Sequence, residues 1–139
     1  ILNIDEIEGV TFTGGEPFDQ AKALFELGLI LKRDGHSITT FTGYKLEDIM
    51  NSGDNSWKNF LSVIDLLIDS PYIYEKADYS RPLAGSSNQR YHFLSNRYNE
   101  KDLSSKSQRI EIRIQKNGKI SLNGQVDPIN LKKIFNGLV

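Results

Sequence analysis

Gly14-Gly15-Glu16-Pro17 is the stretch of this chain whose chemistry is most open to reading. Two glycines leave backbone carbonyls unshielded by side chains, and such carbonyls accept hydrogen bonds from a ligand ammonium. Glu16 adds a negative charge beside them. The combination suits the amino end of an amino-acid-like ligand. The same four residues also fit a tight turn feeding a helix, with Glu16 favoured at the positive helix end. Two carboxylates, Asp65 and Asp69, stand four residues apart on a strand-like run and so share a face. They fit a cation site or an acid–base pair, and they also fit strand-end carboxylates satisfied by backbone donors. Gly85-Ser86-Ser87-Asn88-Gln89-Arg90 offers hydroxyls, an amide pair and one guanidinium, a set suited to a ligand carboxylate or a partner backbone. Its alternative is a polar loop knitted by its own hydrogen bonds. His36 reads as a solvated turn residue and His92 as a packed one.

The elements that must position these groups follow from pattern. Val10 to Thr13 reads as a strand, with apolar Val10 and Phe12 between threonines. A helix follows from Pro17 to Arg33, with proline tolerated at its start and a buried stripe of Ala21, Leu24, Phe25, Gly28, Leu29 and Leu31. Gly35 ends it. Ser37 to Thr42 is a second strand, Leu46 to Met50 and Trp57 to Ser62 are short helical segments, and Val63 to Ile68 is a strand buried on both faces. Strands alternating with helices predict a parallel sheet. Tyr91 to Leu94 reads as a further short strand. The tyrosines between Tyr72 and Tyr98 read as half-buried strand aromatics. Residues 1–98 thus form the core and 99–108 a solvated linker. Residues 109–139 form an extension: Arg109 to Gln115, an Asn117-Gly118 turn, Lys119 to Leu122, then a helix carrying Ile129, Leu131, Ile134 and Phe135.

Composition narrows the function classes. With 17 basic and 18 acidic residues the net charge is −1, so no bulk electrostatic case exists for nucleic acid or membrane. The apolar runs are too short to span a bilayer, and a cytoplasmic setting is the default. Zero cysteines removes disulfides, thiolate metal sites and thiol catalysis together. Two histidines alone cannot build a metal site, so neither a metal ligand set nor a catalytic residue is assigned. The chain opens on Ile1 and enters ordered-looking sequence quickly, which reads as a fragment of a longer protein.

Gly9-Val10-Thr11-Phe12-Thr13-Gly14-Gly15-Glu16-Pro17 resembles the central segment of radical S-adenosylmethionine (SAM) activating enzymes. These include the activases of anaerobic ribonucleotide reductase and of pyruvate formate-lyase. Thr42-Gly43-Tyr44, Ile64 to Tyr72 and Gly85 to Arg90 resemble further stretches of the reductase branch. The resemblance covers roughly Glu8 to Tyr91. It implies an α/β fold, an incomplete radical SAM (βα) partial barrel. It further implies SAM and a [4Fe-4S] cluster as cofactors, reductive SAM cleavage, and hydrogen abstraction from a glycine of a partner glycyl radical enzyme. The residues that would meet SAM are Gly14, Gly15, Glu16 and Pro17, with Thr42 and Asp69 at strand ends. Ser86, Ser87, Asn88, Gln89 and Arg90 would form a partner or substrate loop.

The chain departs from that family in two ways. The family's three-cysteine cluster loop is missing, so this chain alone is expected to be inactive. Ser70 stands where the reductase activases tend to have glycine. The alternatives are a cluster-less SAM-like binding domain and a partner-docking module. A sheet edge left open by a missing first strand would favour self-association.

Overall fold

The computed structural model describes residues 8–104, 111–114 and 120–123. Its centre is a four-stranded sheet in the order β1 (Gly9–Phe12), β2 (Ser37–Phe41), β3 (Leu66–Asp69), β4 (Arg90–Phe93). β1, β2 and β3 run parallel, and β4 returns antiparallel to β3, so the sheet is mixed rather than wholly parallel. The parallel pairs need crossovers, which α1 (Ala21–Arg33), α2 (Leu46–Asn51) and α3 (Asn55–Leu61) supply. A short helix, α4 (Glu100–Ser104), falls in the stretch expected to be a solvated linker, and its Leu103 is buried.

Side-chain alternation sorts the core into two layers. On the helix side, Ile38 and Leu67 meet Phe18, Ala21, Ile49 and Phe60. Burying each of the Phe, Ile and Leu side chains contributes about 1.5–3 kcal/mol. On the other side, Leu66 and Ile68 meet Leu103, Phe41, Tyr91 and Phe93. β3 is therefore apolar on both faces, which explains its continuous run. Gly28 lets α1 lie close: a Cβ there would come within 2.7 Å of Val63 Cγ2.

Several boundaries differ from expectation, each for a local reason. Pro17–Gln20 is a 3-10 turn rather than the first turn of the α-helix, closed by Asp19 N donating to Glu16 O at 3.1 Å, three residues back. Leu29 is 50% exposed, since it lies one helical step off the face centred on Ala21 and Gly28. Val63 and Ile64 are apolar because they fill the core, yet they belong to the turn after α3, with their amides bonded to Phe60 O and Leu61 O. His36 is buried rather than solvated, for Gly35 at φ +84° reverses the chain and His36 N donates back to Leu31 O. Tyr72 and Tyr74 are exposed, whereas Tyr91 and Tyr98 pack on the second layer, so the tyrosines are only partly sheet aromatics.

β5 (Glu111–Ile114) and β6 (Ile120–Asn123) form an antiparallel pair with Ile112 opposite Leu122. This antiparallel pairing is the one that alternation predicts. Its turn, the terminal helix and the residues before Glu8 lie outside the described residues.

Candidate functional site

The three parallel strands end on one side of the sheet, where open α/β sheets bind ligands. A cleft of about 180 Å³ lies there, lined by Thr13, Gly14, Gly15, Glu16, Phe41, Thr42, Gly43, Ser70, Tyr72 and Gln89. It takes one end of a ligand rather than a whole nucleoside, since complete small-molecule pockets run to about 300–1,000 Å³. Gly14 and Gly15 have φ of +82° and +58°, which glycine adopts without penalty. A Cβ on Gly14 would meet nothing within 4 Å, so conformation and not crowding calls for glycine there. Ser70 holds φ +79° without being glycine, a strain of about 1–2 kcal/mol. That explains why glycine suits this position in the sequences this segment resembles.

Glu16 and Thr42 are brought together. Thr42 Oγ1 donates to Glu16 Oε1 at 2.7 Å, and Gly43 N donates to Oε2 at 2.9 Å. Pro17 is buried. Asp69 is not on the cleft. Its carboxylate turns to the helix side, accepting from Leu46 N at 2.8 Å and from Ser70 Oγ at 3.2 Å, and Arg90 clasps it through Nε at 3.0 Å and Nη2 at 2.5 Å. Burial pushes the Asp69 carboxyl up, but Arg90, Leu46 N and His92 outweigh it and hold the group below the usual carboxylate range. Arg90 also grips Glu47 of α2 at 2.8 and 2.7 Å. That contact depresses the Glu47 pKa to about 2 and raises that of Arg90. His92 Nε2 lies 3.0 Å from Asp69 Oδ2 but off the hydrogen-bonding line.

Asp65 is likewise answered from within. Burial pushes its carboxyl up, yet Lys32 Nζ at 2.6 Å, Ser95 Oγ at 2.5 Å and Ile38 N at 2.8 Å leave it lowered overall. The two carboxylates share the helix-side face as their spacing predicts, and each has its own cation and backbone donor. That is the arrangement of satisfied strand-end carboxylates rather than an acid–base pair.

The Gly85–Arg90 segment is knitted by its own bonds and by Arg81, a residue that sequence reasoning passed over. Arg81 Nη1 donates to the carbonyls of Ser86, Ser87 and Gln89 at 3.0, 3.1 and 2.8 Å, and its guanidinium stacks 4.9 Å above the Tyr91 ring. Gln89 Oε1 accepts from Gly85 N and Ser86 N, while its amide nitrogen reaches Ser70 O at 3.4 Å. Gln89 thus faces the cleft. Asn88 and Arg90 instead line a neighbouring groove of about 720 Å³ with Lys45 and Lys76, and Ser70 separates the two spaces. Ser86 is buried, and Ser87 is exposed. The signal for Arg81 was its place beside proline before a polar loop, which does not specify three carbonyl partners.

The chain is of the α/β class, with a glycine turn at the strand ends of a mixed sheet. The family described as "4Fe-4S single cluster domain" matches residues 1–92, and the chain belongs to it. An anaerobic ribonucleoside-triphosphate reductase-activating protein of Haemophilus influenzae is 35% identical over 89 residues, which cover 61% of this chain and 55% of that protein. The kinship with activating enzymes expected from the motifs therefore holds. The chain spans about half the length of this curated relative. No solved structure matches it. The family's cluster does not fit the donor set of these residues. The chain contains no cysteine, and among the described residues no group of three His, Cys, Asp or Glu side chains could hold a metal. Among the described residues no helix is long and apolar enough to cross a membrane.

Proposed function

We propose that this chain supplies the SAM-binding half of a radical SAM activating protein whose partner is a glycyl radical enzyme of the anaerobic ribonucleotide reductase kind. The sheet is then part of a (βα) partial barrel. One observation carries the reading: bare glycine backbone at the carboxyl ends of β1 and β2, in a chain 35% identical over 89 residues to a reductase-activating protein. The carbonyls of the Gly14–Gly15 turn accept from the ligand's ammonium, with Pro17 setting the turn's exit. Thr42 forms the opposite rim. Asp69 supports that rim from behind, through Leu46 and Arg90. Gln89 closes one side of the cleft, and the exposed Ser87 is the member of the Ser86–Arg90 segment open to a partner.

SAM bound beside an iron–sulfur cluster is a source of a carbon-centred radical, but no residue of this chain is a thiolate ligand. The chain's own contribution is to bind and orient the amino end of SAM. With no cluster to share the load, affinity is weak, and the fitting assay is an amide chemical-shift titration with SAM. Shifts concentrated at Gly14, Gly15 and Gly43 are expected. Saturating SAM that leaves those amides unmoved would sink the reading. The lack of cysteine favours a second reading, a binding domain that works without a cluster. Reconstitution of the chain with iron and sulfide should give no cluster absorbance. A stable [4Fe-4S] spectrum would overturn both the donor-set argument and this second reading.

A further inference from the structure

Glu16 belongs to the glycine motif and lines the cleft, yet its carboxylate already accepts three hydrogen bonds from the protein. Oε1 accepts from Phe18 N at 3.1 Å and from Thr42 Oγ1 at 2.7 Å, and Oε2 accepts from Gly43 N at 2.9 Å. Phe18 is in its own turn, but Thr42 and Gly43 stand on the loop after β2. The carboxylate therefore joins the loops of two successive βα units. Tyr44 Oη adds a second strut to Asp19 Oδ1 at 3.0 Å. Thr42 Oγ1 accepts in turn from Tyr44 N at 3.1 Å, and Tyr44 O accepts from Ser70 N at 3.0 Å, which carries the tie to the loop after β3.

We infer that Glu16 is a positioning residue: it fixes the loop at Thr42–Tyr44 against the glycine turn and does not itself receive the ligand's ammonium. Three of the carboxylate's roughly four acceptor sites are filled, and rotating it toward a ligand would strand at least one of those donors. Holding both rims before the ligand arrives also lowers the ordering cost of binding. The ligand half of this inference rests on the SAM reading. The tie between the loops does not.

Three variants separate positioning from direct contact. Glu16→Gln keeps the shape but places an amide NH₂ opposite a backbone donor in either orientation, Gly43 N in one and Phe18 N in the other. Thr42→Val removes one donor and leaves the carboxylate intact. Thr42→Ser restores the hydroxyl. The first readout needs no ligand. Amide hydrogen exchange at Gly43 should accelerate about tenfold or more in a fourth variant, Glu16→Ala, which removes both carboxylate oxygens, with the β3 amides unchanged. Wild-type exchange at Gly43 in that variant would overturn the proposal. The second readout is titration with S-adenosylhomocysteine, the stable product analogue. Glu16→Gln and Thr42→Val should weaken binding by similar factors, about tenfold each, with the double variant no weaker than the worse single and Thr42→Ser near wild type. Strong loss in Glu16→Gln with wild-type affinity in Thr42→Val would show direct contact and refute positioning. A wild-type chain that fails to bind the nucleoside overturns the ligand reading, while accelerated Gly43 exchange would still support the tie.

Discussion

Replacing Arg90 by alanine tests how one guanidinium divides its work. Its four hydrogen bonds go to two very different carboxylates: Asp69 is 0% exposed, and the Glu47 side chain is 60% exposed. Removing one partner of a buried ion pair costs about 3–5 kcal/mol because the other charge is left alone. Two features reduce that here. Leu46 N and Ser70 Oγ still donate to Asp69, and the Arg90 side chain is 42% exposed, so water enters where it stood. The expected loss is therefore about 2–3 kcal/mol at pH 7. Glu47→Gln removes only the exposed arm and should shift the unfolding midpoint far less. The sign with pH follows from Asp69. In the wild type its folded pKa lies below 3.8, so it stabilises above that pH. Without Arg90, burial is opposed only by Leu46 N and His92, so the folded pKa rises relative to the wild type and the charged carboxylate costs most at neutral pH. The gap between wild type and Arg90→Ala should then shrink from pH 7 to pH 4. Urea unfolding at both pH values measures it. A gap that is equal at the two, or a loss at pH 7 no larger than that of Glu47→Gln, refutes the reasoning.

Three further outcomes are expected. Ser70→Gly relieves the positive φ and, after losing the bond to Asp69, should raise stability by about 0.5–1 kcal/mol in urea melts; a destabilised variant would show that the hydroxyl outweighs the strain. Gly9→Ala should lose about 1–3 kcal/mol by the same assay, because its Cβ would fall 2.0 Å from Ser37 Oγ and 2.5 Å from Ser37 O; a loss under about 0.5 kcal/mol would mean that β1 can move away from β2. Asp65, Asp69 and Glu47 all have folded pKa values below their unfolded 3.8 and 4.5. Their contributions are present above those values and lost as the pH falls through the folded ones, so the thermal midpoint should drop between about pH 4.5 and pH 2. A flat profile over that window would contradict the network.

The glycine turn, the order of strands and helices and the shared face of Asp65 and Asp69 were legible because each rests on a period or a backbone preference local in sequence. The antiparallel sense of β4 was not, since nothing in Arg90–Phe93 itself says which way it meets β3. Val63 and Ile64 were misplaced because burial in a turn and burial in a strand select the same residues. Leu29 was misplaced because apolar residues crowd α1 on more than one face. Asp69 stood in sequence at a strand end suited to a ligand, but the cation that claims it sits 21 residues on. The same holds for Glu16, whose partners Thr42 and Gly43 come 26 and 27 residues later. Side-chain commitments over such distances have no sequence period to reveal them.

β3 carries a carboxylate just before its first residue and another at its last, and each is held by a different element: Lys32 of α1 at one end, Arg90 of β4 at the other. Sliding β3 by a single residue would swing both charges to the face occupied by Leu66, Ile68 and the aromatic layer, where neither cation could follow. A strand apolar on both faces has little else to tell one alignment from the next. The two aspartates thus act as register pins, penalising misaligned pairing during folding at the centre of the sheet.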